Sequence, residues 1–555
     1  MTGAAQNKTI KFSVIAVTVF FLSGYVLFPL WQLVITSSSG ANTIQLLNRK
    51  NVFTACFNSV LLSVISVAGS AVIGTYFAYI FHYKNIRFKR FLSAAILLPI
   101  AIPPIVGVMS FLFLLGDNGL LMKISGLKNF QFSGWSAVII LHLYSFYPLF
   151  YLFAGNALKK TDDSIIEAAQ TFGAKNSKIF FRLILPQLKP ALLGAGLLTF
   201  MASMASFSAP FIFAGSQRFL TTEIYYSKIN GDTTLSAMLS LLLAVISIIV
   251  LFFFRHYSKT AEAIKTKGTV KQRVFDRTHP FHRGAGMISF LFGFIIILPV
   301  LSLFIISLIP DGALMQAGLH YSFSLHNYFN LFNDDFLDPF LNSLRASAAA
   351  VFITICAGLM IGHIIRRGKN IFKTVLEVTA SVPYGIPGTV IAICLVLAFN
   401  SPNIFSFNSI LVGTFWILPV AYAIRNLPVM TQAVKAGLQM VDGSAEEAAA
   451  ALGAKPFRIW RSVTMPLIYP AVTDGALLVF INSFGEFVAT VLLYNYSTKT
   501  MPIEIYAQMR LYNNSMAATY GIVVFLIVII LIYFARKMSA GYLQQKNQSP
   551  SVGSL

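Results

Sequence analysis

The sequence predicts an all-α polytopic membrane protein built from two parallel six-helix repeats. Of its 555 residues, 56% are hydrophobic and 11% are charged, whereas soluble domains carry about 25% charged residues. Twelve apolar stretches reach the length of about 20 residues that a transmembrane helix needs. Short motifs that recur about 280 residues apart divide these stretches into two sets of six. This composition excludes an ordinary soluble enzyme and a disordered or fibrous chain.

The twelve predicted spans follow one another along the whole chain. The first has the basic flank of a signal peptide, but its apolar run of about 24 residues exceeds the 7–15 of a signal sequence, so we expect an uncleaved helix. Cys56, Cys356 and Cys394 lie in apolar runs and predict no disulfide framework. The approximate limits are 12–35, 55–81, 91–115, 134–156, 190–215, 233–254, 285–309, 340–364, 374–399, 407–424, 471–495 and 516–535.

The charge distribution predicts the orientation. With the N-terminus in the cytoplasm, the inside segments hold 32 Lys and Arg against 8 Asp and Glu, and the outside loops hold 9 against 8. Basic residues concentrate on the cytoplasmic side of membrane proteins. We therefore expect both termini in the cytoplasm, and the net charge of +22 is interpreted as a topology signal with no nucleic-acid partner.

Paired motifs predict the domain organisation. Because six is an even number of spans, both copies begin on the same side and are parallel. The predicted domains are 1–258, a basic cytoplasmic linker over 259–284, and 285–555. Asn58-Ser59 recurs as Asn342-Ser343, and Pro99 and Pro103 recur as Pro383 and Pro387.

The most informative segment is the loop between spans four and five of each repeat, here named the first repeat loop (164–190) and the second repeat loop (444–470). From the shared Glu they read EAAQTFGAKNSKIFFRLILPQLKPAL and EAAAALGAKPFRIWRSVTMPLIYPAV. One such pattern arises easily by chance, but two copies on the basic side are a strong signal. The shared positions are Glu167, Ala168, Ala169, Gly173, Pro186 and Pro190, and Glu447, Ala448, Ala449, Gly453, Pro466 and Pro470.

Each repeat loop is predicted to form two short helices joined by a turn. Ser164 and Ser444 precede the shared Glu by three residues, a capping-box spacing. Gly173 and Gly453 are expected to end the first helix in a left-handed conformation. An amphipathic second helix follows, and Pro186 and Pro466 are expected to break it before the next span. Such an element suits docking into a cleft of a cytoplasmic partner; the alternative is a membrane-surface helix without a partner.

These loops resemble the EAA loops of inner-membrane permease subunits of binding-protein-dependent ABC importers. The resemblance covers nearly the whole chain as two fused permease domains and implies the type I importer fold in a bacterial cytoplasmic membrane. It implies that each repeat loop couples to one of two ATPase subunits, and that an extracytoplasmic substrate-binding protein delivers the cargo. The sequence contains no G-x-x-x-x-G-K-[ST] phosphate loop. ATP and Mg²⁺ are therefore expected on the partner ATPase, with no cofactor on this chain and no catalytic residue.

As a fused two-domain permease of this size, the chain most resembles the ferric-iron importer family, and next the 2-aminoethylphosphonate and thiamine importers. The segments from Phe207 and from Glu486 resemble a D-F-G-A-P…T-x-I-Y stretch of iron and phosphonate permeases. Ser206 stands where that pattern has an acid, whereas Glu486 keeps one. A secondary transporter would also have two six-span halves, but it gives no reason for paired coupling loops.

Intramembrane polar residues are candidates for the translocation path, because they are costly in lipid and usually face a bundle interior. Asn482, Ser483 and Glu486 are expected on one face of span eleven, with Ser206 as the counterpart of Glu486. The alternative is a purely structural, hydrated or paired Glu486. Two further interpretations are a weaker polar set in span four (His142, Tyr144 and Ser145) and a helix pair between Lys373 and Glu377. The scattered histidines predict no metal site.

Overall fold

The computed structural model describes residues 2–39, 50–83, 86, 88–117, 119–125, 131–161, 163–261, 280–310, 322–332, 334–366 and 370–548. In this part of the chain the regular elements are all helical. A helix pairs its backbone N–H and C=O groups within one segment, which apolar surroundings require. Most of the predicted linker 259–284 lies outside the described residues, as do two of the scattered histidines, His279 and His320.

The helices of the first repeat are interrupted by π-helical turns at Ser23–Leu27 and Phe180–Ile184. They are α1 Thr2–Leu22, α2 Phe28–Ser38, α3 Lys50–Tyr83, α4 Lys89–Ala101, α5 Pro104–Leu115, α6 Leu120–Ser125, α7 Gly134–Leu158, α8 Asp163–Thr171, α9 Asn176–Ile179, α10 Leu185–Met204, α11 Ser208–Phe213, α12 Leu220–Ile229 and α13 Thr233–Ala261.

The second repeat adds 3₁₀ turns at Val382–Gly385, Ile404–Ser406 and Tyr496–Thr498 and a π-helical turn at Trp460–Thr464. Its helices are α14 Pro280–Ser307, α15 His326–Asn330, α16 Asp334–Ile365, α17 Ile371–Ser381, α18 Gly388–Phe399, α19 Ile417–Gln439, α20 Gly443–Ala451, α21 Pro456–Ile459, α22 Met465–Phe484, α23 Thr490–Leu493, α24 Met501–Arg510 and α25 Asn514–Gln548.

Ten helical segments of the described residues are long and apolar enough to cross a membrane, or eleven if one sharply bent pair counts as a single span. The bend of 113° lies between Ile371–Gly385 and Gly388–Phe399, where Pro383 and Pro387 interrupt the backbone ladder. The equivalent segment of the first repeat divides at Ile102 and Pro103 into α4 and α5. The recurring prolines thus mark broken helices in both repeats.

Three predicted span limits are wrong. At the tenth predicted span, 407–424, the structure has the helix α19 at Ile417–Gln439, which continues through Arg425, the charge before which the predicted span ends. The fifth and eleventh spans begin and end earlier than expected, within Asn176–Met204 and Pro456–Phe484. Their actual ends place Ser206 and Glu486 just beyond the helices, in the turns that follow.

Two compact units share the chain, and they do not coincide with the two sequence repeats. One unit contains 1–41, 328–507 and 523–555, and the other contains 42–327 and 508–522. In the first of these units, α1 packs on α16 and α2 packs on α18; in the other, α14 packs on α4 and α5. The first span of each repeat therefore packs on helices of the other repeat.

The recurring Asn-Ser motif has a defined structural role. Asn58 donates to the carbonyl of Arg218 (2.9 Å), and Ser59 Oγ accepts from the N–H of Leu220 (2.9 Å). Ser343 Oγ likewise accepts from the N–H of Met501 (2.8 Å), and Asn342 donates to two carbonyls of the same connection. The motif attaches the second span of each repeat to the first residue of α12 or α24.

Candidate functional site

Both repeat loops contain the predicted glycine turn. Gly173 has φ +76° and Gly453 has φ +80°. After α8, the N–H groups of Gly173 and Ala174 donate to the carbonyls of Gln170 and Ala169 (2.9 and 3.0 Å). The same two bonds follow α20 at the corresponding positions. This pair of bonds is the Schellman motif, which satisfies the last carbonyls of a helix, so the predicted left-handed helix end is confirmed in both loops.

The capping-box prediction for the second repeat loop is wrong. α20 begins at Gly443, and its N-cap is Asp442, whose carboxylate accepts from the N–H of Ser444 (3.0 Å). Ser444 therefore lies inside the helix, and Ser164 likewise follows the first residue of α8. The hydrogen bonds from Ser444 lower the pKa of the Asp442 carboxyl, because they favour its charged form.

The predicted break at Pro186 and Pro466 is also wrong. Each proline lies at the start of α10 or α22, directly after a five-residue π-helical turn, and the backbone stays helical from α9 into α10 and from α21 into α22. A π-helical turn shifts the hydrogen-bond register of a helix. The missing N–H of the proline is thereby accommodated within a continuous helix, and the short amphipathic helix is the N-terminal end of the span.

The turn of each repeat loop presents an apolar side chain to its surroundings. Phe172 is 91% exposed and Leu452 is 89% exposed, although both are large hydrophobic residues. Exposed apolar side chains that recur at equivalent positions are typical of interaction surfaces. Among the other shared residues, six are exposed and two are half-buried: Glu167, Ala168, Pro186, Glu447, Ala448 and Pro466 are exposed, and Ala169 and Ala449 are half-buried.

A neighbouring carboxylate that the sequence did not single out is buried. Glu446 forms an ion pair with Arg366, with 2.5 Å between Nη1 and Oε1, and the hydroxyl of Thr464 donates to the same oxygen at 2.5 Å. Glu447, the residue of the shared motif, is exposed. The signal that marks Glu446 in the sequence is its alignment with Ile166, which is buried in the first repeat.

The expected path residues form a polar cluster with α19, named here the second polar cluster (Tyr422, Arg425, Asn426, Asn482, Ser483, Glu486 and Thr490). Its centre is an ion pair between Arg425 and Glu486. The N–H of Ala489 also donates to Oε1 of Glu486 (2.9 Å). The side chain of Glu486 is 8% exposed, whereas that of Arg425 is 34% exposed. Glu486 is thus paired, and the guanidinium is the more accessible end of the pair.

Amide and hydroxyl groups extend this cluster along α19. Asn482 donates to Oδ1 of Asn426 (3.0 Å), and Asn426 donates to Oγ of Ser483 (3.4 Å). The hydroxyls of Tyr422 and Thr490 lie 2.6 Å apart. The three expected residues are therefore brought together, and they meet through Arg425 and Asn426 of α19, which the sequence did not single out.

Space for the guanidinium comes from a glycine. A Cβ atom added to Gly388, the first residue of α18, would lie 2.6 Å from Nη1 of Arg425. In the first repeat the aligned positions hold Pro104 and Ser145. The second repeat thus combines a cation with the small residue that admits it.

The corresponding cluster of the first repeat consists of one imidazole and three hydroxyl groups, and it is named here the first polar cluster (Ser66, His142, Ser203 and Ser206). Nδ1 of His142 lies 3.0 Å from the hydroxyls of Ser66 and Ser203, and Nε2 lies 2.9 Å from that of Ser206. His142 is buried and aligns with Tyr422, while Ser206 aligns with Glu486. At the position of the ion-paired Glu486, the first repeat has Ser206, whose hydroxyl contacts His142.

Tyr144 and Glu377 have partners that the sequence did not predict. Tyr144 donates to the carbonyl of Ile296 in α14 (3.1 Å), and Ser145 is exposed, so neither joins the first polar cluster. Glu377 forms an ion pair with Lys435 of α19. This ion pair joins two helices, and the expected helix pair between Lys373 and Glu377 stays a prediction.

Residues 70–262 and 354–542 match the family described as "Binding-protein-dependent transport system inner membrane component". The two matched regions contain one repeat loop and one polar cluster each, apart from Ser66. They correspond to the two halves that the recurring motifs indicate.

Curated relatives match most of the chain. It is 27% identical to a probable ABC transporter permease protein of Sinorhizobium fredii, over 83% of each chain. It is 27% identical to a putative ferric transport system permease protein of Haemophilus influenzae, over 83% of this chain and 73% of the relative. A molybdenum transport system permease protein of Mycobacterium bovis is 30% identical over 35% of this chain and 76% of the relative.

Proposed function

The chain belongs to the family of binding-protein-dependent transport system inner membrane components, and from this premise we propose that it imports ferric iron. It is a multi-pass inner-membrane permease subunit of an ABC importer and is not itself an ATPase. The proposal concerns the cargo, the topology and the residues that couple and conduct.

The observation that carries the iron proposal is the extent of the ferric relatives. Ferric transport permeases from Haemophilus influenzae and Actinobacillus pleuropneumoniae align over 83% and 88% of this chain, with both repeats in one polypeptide. A cargo pathway formed by two repeats depends on both, so an alignment that spans both is the relevant comparison.

The repeat loops are the proposed docking elements for the ATPase. Two loops of one shape, each with a glycine turn and an exposed apolar residue, match a partner present in two copies. The proposed assembly contains two ATPase subunits and one extracytoplasmic binding protein. Its topology has twelve spans with both termini in the cytoplasm, counting α19 as the tenth because it aligns with α7 of the first repeat.

The two polar clusters are proposed to line the translocation path. A partly exposed guanidinium within a span is costly against lipid, which favours a polar, water-accessible surface for Arg425. The second polar cluster contains an ion pair, whereas the first contains one imidazole and three hydroxyl groups, so the two clusters offer a solute different chemical groups.

A molybdenum oxyanion is the second candidate cargo. Molybdenum permeases align with a single repeat at 30% identity, and the accessible end of the Arg425–Glu486 pair is cationic. A guanidinium donates hydrogen bonds to oxyanions with two parallel N–H groups. This candidate predicts an anion contact at Arg425, whereas the iron proposal does not require one.

Uptake measurements separate the two candidates. The chain is expressed with its ATPase and binding protein in a bacterium that lacks its own importers for both elements, and ATP-dependent uptake of radiolabelled ferric iron and of molybdate is measured. We expect saturable iron uptake that excess molybdate does not reduce. Molybdate uptake without iron uptake would refute the iron proposal.

A further inference from the structure

The two repeat loops are attached to their own repeats by different chemistry. In the second repeat, Arg366 follows the last residue of α16, Glu446 lies in α20 and Thr464 ends the π-helical turn before α22. The alignment places His82, Ile166 and Ile184 at these three positions in the first repeat. Three polar groups thus stand where the first repeat has one histidine and two isoleucines.

The polar contacts that attach the second repeat loop are directional and largely shielded from solvent. The side chain of Glu446 is 7% exposed and that of Arg366 is 18% exposed, and Thr464 is buried. Both the guanidinium and the hydroxyl converge on one carboxylate oxygen. Burial of an uncompensated carboxylate is strongly unfavourable, so the ion pair with Arg366 at the end of α16 stabilises Glu446 in its buried position.

The apolar contacts that attach the first repeat loop allow the contacting surfaces to shift. Ile166 and Ile184 are buried in a cluster with Ile179 and with residues of α3 and α7 such as Ala78 and Leu158. Apolar contacts are non-directional, and they tolerate small displacements better than charge-assisted hydrogen bonds do. The second repeat loop has less apolar attachment, since α21 contains no buried residue.

We propose that Arg366, Glu446 and Thr464 are positioning residues that fix the second repeat loop to the end of α16. A displacement of this loop is transmitted directly to α16, whereas the first repeat loop packs on α3 through the apolar cluster that contains Ile166 and Ile184. The inference rests on the proposed role of the repeat loops as ATPase docking elements. The two loops then respond unequally to the same ATPase movement.

Hydrogen exchange measured by mass spectrometry on the full chain tests the positioning role without the ATPase. We expect Glu446→Gln and Arg366→Gln each to raise exchange over 443–464 by roughly tenfold, while 163–184 in the same molecule stays unchanged. The double variant should exceed neither single variant, because both lose one shared interaction. Arg366→Lys, which keeps the charge, should retain most of the protection.

Glu447→Gln is the matched control, since it makes the same chemical change one residue away at an exposed position. We expect no change of exchange over 443–464 in this variant. Wild-type exchange in Glu446→Gln and Arg366→Gln would overturn the proposal. An equal rise in both loops would also overturn it, because that result indicates general destabilisation.

Co-purification of the ATPase separates this inference from the proposed function. If both hold, Glu446→Gln weakens ATPase association together with loop protection. If the repeat loops are not docking elements, ATPase association is unaffected by any of these variants although exchange over 443–464 still rises. That second pattern refutes the docking role and leaves the attachment of the loop to α16 established.

Discussion

At the scale of single residues, each member of the Arg425–Glu486 ion pair compensates a charge that would be unfavourable in the protein interior without its partner. Removing one member of a buried ion pair leaves an uncompensated charge and costs about 3–5 kcal/mol, whereas removing both is often neutral. Glu486 is the more buried member, and the N–H of Ala489 supplies one further hydrogen bond to its carboxylate. The carboxylate of Glu486 therefore has both a cationic partner and a backbone donor at its buried position.

The two single substitutions in this ion pair should lower the thermal stability by unequal amounts. We expect Arg425→Gln to lower the thermal stability of the solubilised protein more than Glu486→Gln, because it strands the less exposed charge. The double variant Arg425→Gln with Glu486→Gln should recover most of the loss. Thermal unfolding followed by size-exclusion chromatography measures all three, and wild-type stability in both single variants would contradict this assignment.

Transport by Glu486→Gln tests the path role at the same site. With Arg425 no longer neutralised, a cationic cargo should be carried more slowly per permease, and an anionic cargo at an equal or greater rate. The measurement is uptake normalised to permease abundance, with ATP hydrolysis stimulated by the loaded binding protein as the control. A normal iron rate in this variant would argue against a path role for the residue.

The sequence identified Glu486 but not its partner, for a physical reason. Hydropathy ends a predicted span at its first charge, and Arg425 is such a charge, so the predicted span stops one residue before it. Pairing within the bundle removes the cost on which that rule depends. Alignment of the two repeats matches α19 with α7 and so predicts this helix, but it does not reveal which side chains are in contact.

At the scale of elements, the turn of each repeat loop depends on backbone conformation alone. A Cβ atom at Gly173 or Gly453 would meet nothing within 4 Å, yet both have positive φ. A non-glycine residue in this conformation costs roughly 1–2 kcal/mol, and a β-branched one more. The glycines are therefore required by conformation and not by crowding.

Replacement of either glycine by Val should weaken ATPase co-purification and ATP-dependent uptake while the spans still insert. Asn, which tolerates the left-handed region, should retain more of both activities. Gly155→Ala in α7 is the control, because its Cβ position is equally open and its φ is not positive. Wild-type uptake and ATPase association in both Val variants would refute the coupling role of these loops.

The start of α20 should depend on pH through Asp442. Because its folded-state pKa is lowered, its contribution is complete above the ordinary aspartate value and is lost as pH falls through the lowered value. We expect Asp442→Ala to increase hydrogen exchange over 443–447 at neutral pH, and Asp442→Asn, which keeps an acceptor, to remove the pH dependence. Identical pH profiles in all three proteins would contradict the cap.

Prolines show where element prediction from sequence succeeds and fails. Pro103 and Pro387 lie at interruptions of helices in both repeats, as a missing N–H and a fixed φ require. Pro186 and Pro466 have the same chemistry but lie in continuous helices, because π-helical turns precede them. A propensity rule describes the proline, whereas the outcome depends on the hydrogen-bond register of the preceding turn.

At the scale of the whole molecule, the packing of the first spans links the repeats. The sequence alone predicts two self-contained domains, because it records similarity and not contact. In the structure, Tyr25 after α1 donates to the carbonyl of Phe405 (2.8 Å), and Ser302 of α14 donates to that of Ser110 in α5 (3.0 Å). Each repeat therefore supplies a first span that packs on helices of the other repeat.

Expression of the halves as separate chains tests this exchange. If 1–261 and 280–555 are produced together, we expect an affinity tag on one half to recover the other. Produced alone, each half should fall several-fold in membrane abundance, because α1–α2 or α14 then lacks the helices on which it packs. A matched control removes α1–α2 from 1–261 and should restore part of the abundance of that half, since the uncovered helices are gone. Equal abundance of the halves alone and together would show that each repeat folds without the other.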